Sequence, residues 1–283
     1  MFRRVTGFAA ASLAAIATIA GASTASATQV RVTVTNPGNG LALTPLYFGF
    51  HNGSVDLFDV GSTASAGIEN LAELGTFNDP SLVDIREERL AQQADSVGGV
   101  ALGTSIGAPG PLEPGESASF IVDLDAVANR FAFFAAMIIP SNDTFVGLDD
   151  PTGFALFDAA GNFLGPQTFN ITGEFAYDAG TEVNNASATG GAAFVQGRTA
   201  TDGAAEGGVI GRATSLSDFL GLTLANGTVL GGDIDFVTDP ASFIFATITV
   251  EEVPLPPAIF LMGAGLAGLG LSSRRKKQAA GLS

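Results

Sequence analysis

The run Tyr177-Asp178-Ala179-Gly180-Thr181-Glu182 gathers two carboxylates, a hydroxyl and a glycine into six residues directly behind an apparent β-strand. Asp178 and Glu182 stand four apart around Gly180, which lets the backbone turn sharply. Both carboxylates can then face one cation, with backbone carbonyls filling in between. A second acidic loop, Ser141-Asn142-Asp143, follows another apparent strand and can complete the same site. Against this stands composition: 28 Asp and Glu in 283 residues put close acidic pairs on solvated loops without any metal.

Other chemistries are poorly served. With one histidine, His51, and no cysteine, neither Cys-His catalysis nor a zinc site of His/Cys type can be assembled. A Ser-His-Asp triad would need His51, but no G-x-S-x-G elbow occurs; the nearest match, Thr63-Ala64-Ser65-Ala66-Gly67, lacks the first glycine and falls in a helical stretch, so His51 reads as a strand-end residue. Gly263-Ala264-Gly265-Leu266-Ala267-Gly268 fits G-x-G-x-x-G but has no preceding strand and no βαβ unit, so it does not indicate a dinucleotide site. A carboxylate pair for glycoside hydrolysis remains open, because separation is invisible in sequence.

The two ends set the compartment. Met1-Phe2-Arg3-Arg4, an apolar run from Phe8 to Ala20 and Ala25-Ser26-Ala27 form the three parts of a secretory signal peptide, with cleavage expected after Ala27. At the other end, Val253-Pro254-Leu255-Pro256-Pro257 precedes an apolar run from Ala258 to Leu271 and then Arg274-Arg275-Lys276-Lys277. That run has 14 residues where a span needs roughly 20, although Val253 to Ser273 gives 21 uncharged residues that just suffice. The basic cluster would stay cytoplasmic and leave the body outside. Residues 28–252 carry six arginines, no lysine and all 28 acidic residues, a net −22 that repels nucleic acid and anionic membranes and attracts cations. About 225 residues can bury one core without disulfides.

The elements that would position the acidic loops read as strands. Val30 to Thr35 alternates apolar and polar residues, Pro45 to His51 is apolar and aromatic, and Ser117 to Leu124 alternates again. Phe131 to Ile139, nine apolar residues ended by Pro140, reads as a buried central strand that delivers Asn142 and Asp143. A hairpin is expected at Ala160-Gly161, one strand over Thr168 to Tyr177, and a last strand over Phe243 to Val250. A helix is expected before Gly75, capped by Ser62 or Thr63, with helical propensity again at Ile85 to Gln93. Asn184 to Gly208, rich in Ala, Gly, Ser, Thr and Asn, reads as a long flexible loop that builds no core. Seven or eight short strands without βαβ rhythm predict an all-β fold, an antiparallel β-sandwich with a short helical excursion.

Two resemblances sharpen this. Val253-Pro254-Leu255-Pro256, the Gly/Leu-rich segment and the Arg/Lys cluster resemble the PEP-CTERM sorting signal of Gram-negative bacteria, which implies processing by an exosortase-type membrane enzyme and transient membrane insertion. The His-x-Gly-Ser-x-Asp-Leu-Phe run at His51 with Ala-Ser-Ala-Gly-Ile-Glu, the Pro-Ser-Asn-Asp-x-Phe-Val-Gly run at Pro140 and Asp-Ala-Gly-Thr-Glu at Asp178 together resemble the spondin N-terminal domain. That resemblance implies a C2-like sandwich with a calcium (Ca2+) site on Asp143, Asp178 and Glu182. Animal members often carry Asp at the position of Glu182. The expectation is an exported, non-enzymatic calcium-binding domain over residues 28–252, at the cell surface or in a matrix of polysaccharide or protein. Its rivals are a secreted polysaccharide hydrolase and a structural filler whose acidic loops are merely solvated.

Overall fold

A computed structural model of the chain describes residues 27–104, 110–187, 192, 194–198 and 203–254. The expected signal peptide before Ala27, Leu255 and Pro256 of the sorting motif, the apolar run and the basic tail lie outside the described residues. Among the described residues no helix is long and apolar enough to cross a membrane.

In chain order the elements are β1 (Thr28–Thr35), β2 (Ala42–Leu43), β3 (Leu46–His51), α1 (Ala66–Leu74), α2 (Ile85–Gln92), β4 (Val97–Ala101), β5 (Ser117–Leu124), β6 (Phe131–Ile139), β7 (Thr144–Gly147), β8 (Gln167–Thr172), β9 (Ala176–Asp178), β10 (Gly211–Arg212) and β11 (Ile244–Glu252). They form two antiparallel sheets. One runs β5-β1-β11-β8; the other runs β10-β9-β7-β6-β3-β4, with β2 also paired to β6. The all-β sandwich read from the sequence is the fold.

Burial follows the residue patterns. In β1 the alternation places Val30, Val32 and Val34 in the core, whereas β3 and nearly all of β6 are buried along their lengths, as a central strand between two layers must be. Aromatic side chains fill the space between the sheets. Phe48 on β3 meets Phe120 on β5 with centroids 5.4 Å apart, and Phe134 on β6 meets Phe169 on β8 at 5.6 Å.

Both helical stretches expected from the sequence form, as α1 and α2, packed on each other. Three expectations change. The cap of α1 is Ser65 rather than Ser62 or Thr63: its Oγ accepts from Ile68 N–H at 3.2 Å, and Glu88 of α2 takes the Ser65 hydroxyl at 2.8 Å and Gly67 N–H at 2.9 Å. The second helix thus supplies acceptors for the first turn of the first helix. Gly75 ends α1 at φ 66°, as expected.

The expected single strand over Thr168 to Tyr177 is two strands in different sheets. β8 pairs with β11, a 3₁₀ turn over Gly173–Phe175 intervenes, and β9 pairs with β7. Gly173 packs so closely that a Cβ would lie 2.4 Å from the Phe236 carbonyl oxygen, which fixes where the chain changes layer. Finally, the Asn184–Gly208 stretch does contribute to the core, through Ala192 and Val195.

Candidate functional site

The acidic loops meet because β7 pairs with β9 in the register Thr144↔Asp178. Asp143 precedes β7 and Asp178 ends β9, so the pairing sets the two carboxylates side by side. Ser141 fixes the first loop: its hydroxyl donates to the Ile138 carbonyl at 2.7 Å and accepts from Thr144 N–H at 3.1 Å. In the second loop Gly180 adopts φ 69°, and a Cβ there would meet Val209 backbone nitrogen and oxygen at 2.7 and 2.6 Å. Only glycine combines that conformation with that approach. The turn begins with Gly180 N–H donating to Asp178 Oδ1 at 2.9 Å.

Asp143 is fully buried and serves as the hub. Its Oδ2 accepts from Thr181 N–H at 2.9 Å and Glu182 N–H at 3.1 Å, while Oδ1 accepts from Asn184 Nδ2 at 2.9 Å. The same Asn184 nitrogen lies 2.9 Å from Thr144 Oγ1 and 2.9 Å from Asp178 Oδ2. Three oxygens therefore converge on one amide nitrogen that has only two hydrogens to give. Asn184 is held in turn by Asn142 N–H, which donates to its Oδ1 at 2.8 Å.

The third carboxylate comes from far along the chain. Residues 204–208 run antiparallel to residues 180–183: Val183 N–H bonds the Ala204 carbonyl, Glu206 N–H the Thr181 carbonyl and Gly208 N–H the Gly180 carbonyl. This strap brings Glu206 to Asp143 and Asp178, with one oxygen from each carboxylate all within 4.8 Å of one another.

Of the three sequence-predicted ligands, the structure brings Asp143 and Asp178 together. Glu182 contributes its backbone N–H, but its carboxylate lies against Gly203, where an added Cβ would sit 1.8 Å from Oε2, and it is outside the three-carboxylate group. Sequence reasoning missed Glu206 and Asn184. The signal was faint: Asp202 and Glu206 are the sole acidic residues between Glu182 and Asp218, in a stretch otherwise too bland to suggest a site. Val253 extends the β11–β1 pairing by donating to the Gln29 carbonyl at 2.8 Å, and Pro254 follows it at the limit of the described chain. Ala27 is exposed just before β1.

The electrostatics are those of crowded anions. Burial pushes Asp143 up to about 7; Asp178 and, more weakly, Glu206 push the same way, against the Glu182 and Thr181 N–H groups. Asp178 is also raised, by burial first, opposed by Gly180 N–H and the Asn184 amide. Glu182 is raised by burial as well. Among the described residues, no arginine figures among the causes for any of the three.

Residues 37–193, more than half of the chain, match the family described as Spondin_N. The chain belongs to the Spondin_N family. A search of curated proteins returned no match. The Spondin_N match takes in Asp143, Asp178, Glu182 and Asn184 but not Glu206, and it leaves β1, β10 and β11 outside. The carboxylate group of this Spondin_N chain thus joins residues from within the matched span to one from beyond it.

The donor set fits a hard cation. Carboxylates from Asp143, Asp178 and Glu206 and the neighbouring Thr144 hydroxyl are oxygen donors of the kind calcium takes, and no histidine or cysteine joins them among the described residues.

Proposed function

We propose that the protein is an exported, non-enzymatic, calcium-binding domain that works at the cell surface or in the extracellular matrix. The observation that carries this reading is the convergence of buried Asp143 and half-buried Asp178 with the exposed carboxylate of Glu206. Like charges this close oppose folding unless one is protonated or a cation joins them. Asp143, Asp178 and Glu206 would hold the ion, whose charge would offset theirs. The protein's own part is positioning: the Ser141 turn, the Gly180 turn and the 204–208 strap bring the carboxylates together.

Membership of the Spondin_N family supports an extracellular setting, and the arrangement Val253-Pro254-Leu255-Pro256, apolar run and basic cluster supports sorting by an exosortase-type enzyme with transient membrane anchoring. Among partners, extracellular polysaccharide or other matrix components suit this setting. The hydrolase alternative gains little, since none of five clefts along the described residues is lined by more than one carboxylate. Calorimetric titration of calcium into metal-free protein tests the reading. Binding that Asp178→Ala abolishes supports it, and absence of heat or of any thermal shift with calcium would sink it.

A further inference from the structure

A cleft of about 310 Å³ lies over the β4 edge of the seven-stranded sheet, remote in sequence from the carboxylates. It holds two of the six arginines in a body of net charge −22. Arg89, on α2, is only 4% exposed. Its stem lies across β3, where Gly49 leaves room: a Cβ there would sit 2.8 Å from Arg89 Cδ. Nε donates to Tyr47 Oη at 2.7 Å and Nη1 to Ser96 Oγ at 2.5 Å, whereas no described residue accepts from Nη2.

Neither Arg89 nor Arg86, which is exposed at the rim, has a carboxylate within 4 Å among the described residues; the ion pair they contain is Arg31 with Glu251. Asp84, whose charge reaches Tyr47, has its Oδ1 engaged by Glu87 N–H. A buried guanidinium joined only to hydroxyls leaves its charge uncompensated, which is costly in a protein with 28 carboxylates to choose from. One wall of the cleft is apolar, made by Tyr47 and Phe77 stacked with centroids 5.9 Å apart. The floor is bare backbone at Gly98 and Gly99 on the edge strand.

We propose that this cleft binds an acidic monosaccharide unit, a hexuronate, whose carboxylate meets Arg89 and Arg86 while its ring packs on Phe77 and the β4 backbone. A planar guanidinium takes a carboxylate through two parallel hydrogen bonds, and a sugar has the size and mixed polarity of this space. The body's negative charge repels a polyanion, so the ligand carries a single charge, such as a chain-terminal uronate. The extracellular polysaccharide as its source rests on the exported reading above; the site itself does not depend on calcium.

The test is titration of the full chain in chelator with glucuronate, glucose, acetate and polygalacturonate, followed by NMR or calorimetry. Glucuronate is expected to bind, glucose and acetate far more weakly, and the polymer no better per residue than the monomer. Arg86→Ala, at an exposed position, should weaken glucuronate about tenfold, and Arg89→Lys should abolish it. If Arg89→Lys fails to fold, Arg86→Ala decides. No glucuronate binding, equal binding of glucose or acetate, tighter binding of the polymer, or indifference to Arg86→Ala each overturns the proposal. Because calcium is absent throughout, failure of the calcium reading leaves this result standing, and the reverse holds too.

Discussion

Calcium should stabilise the protein strongly at pH 8 and weakly at pH 5, and the size of the difference follows from Asp143. In the unfolded chain this carboxyl titrates near 3.8; in the metal-free fold, burial beside Asp178 takes it to about 7. A raised value means that the fold holds a proton the unfolded chain has lost. The associated stability is therefore complete below about pH 4 and is lost as pH rises through about 7. Three units at about 1.36 kcal/mol each set a ceiling near 4 kcal/mol on the loss. At about 2–4 °C per kcal/mol for a body of this size, the melting temperature of metal-free protein should fall by up to roughly 8–16 °C between pH 4 and pH 8 from this group alone. Calcium should restore most of that at pH 8. At pH 5 it must displace the Asp143 proton, and its benefit should shrink. Melting curves at both pH values, in chelator and in calcium, are the assay. Equal curves with and without calcium at pH 8, or an equal calcium gain at pH 5 and pH 8, would refute the reasoning.

Two further outcomes test particular residues. Glu206→Gln should weaken calcium binding by about tenfold or more, while Glu182→Gln should leave it within about threefold, read by calorimetry; the opposite order would return the third ligand to Glu182. His51, fully buried, accepts from Gly53 and Val55 N–H at Nδ1, and burial, with Arg89 behind it, lowers it to about 4. The folded protein then stays neutral at His51 while the unfolded chain takes up a proton, so stability falls as pH drops from 6.5 to about 4, by up to about 3 kcal/mol. His51→Asn should flatten this limb in denaturant titrations, and an unchanged slope would count against it.

Much of the layout was legible because it rests on local rules. The period-two valines of β1, the unbroken apolar run of β6 and the glycine that stops α1 each declare themselves within a few residues. The two acidic loops were legible for the same reason, since each follows a strand. What was hidden is what depends on distant partners. The alternation of Thr168 to Thr172 looks the same whichever sheet the chain joins next, and only the packing of Gly173 under Phe236 reveals the change of layer. Glu206 is chosen by hydrogen bonds to a strand end more than twenty residues earlier, which no local pattern encodes. Glu182 was attractive because spacing locates a Cα but leaves open which way a side chain turns.

β11 lies between β1 and β8, with Val30 opposite Glu252 and Thr249 opposite Thr168. The four-stranded sheet therefore has its first and nearly last residues as central neighbours, and without β11 its remaining strands divide into the β5-β1 pair and an isolated β8. During synthesis or export the sandwich can close only after residue 252 has emerged, so folding is a late event gated by the far end of the body. A fragment limited to residues 37–193 would lack both middle strands of that sheet as well as Glu206. The span by which the family is recognised is thus smaller than the unit that can fold.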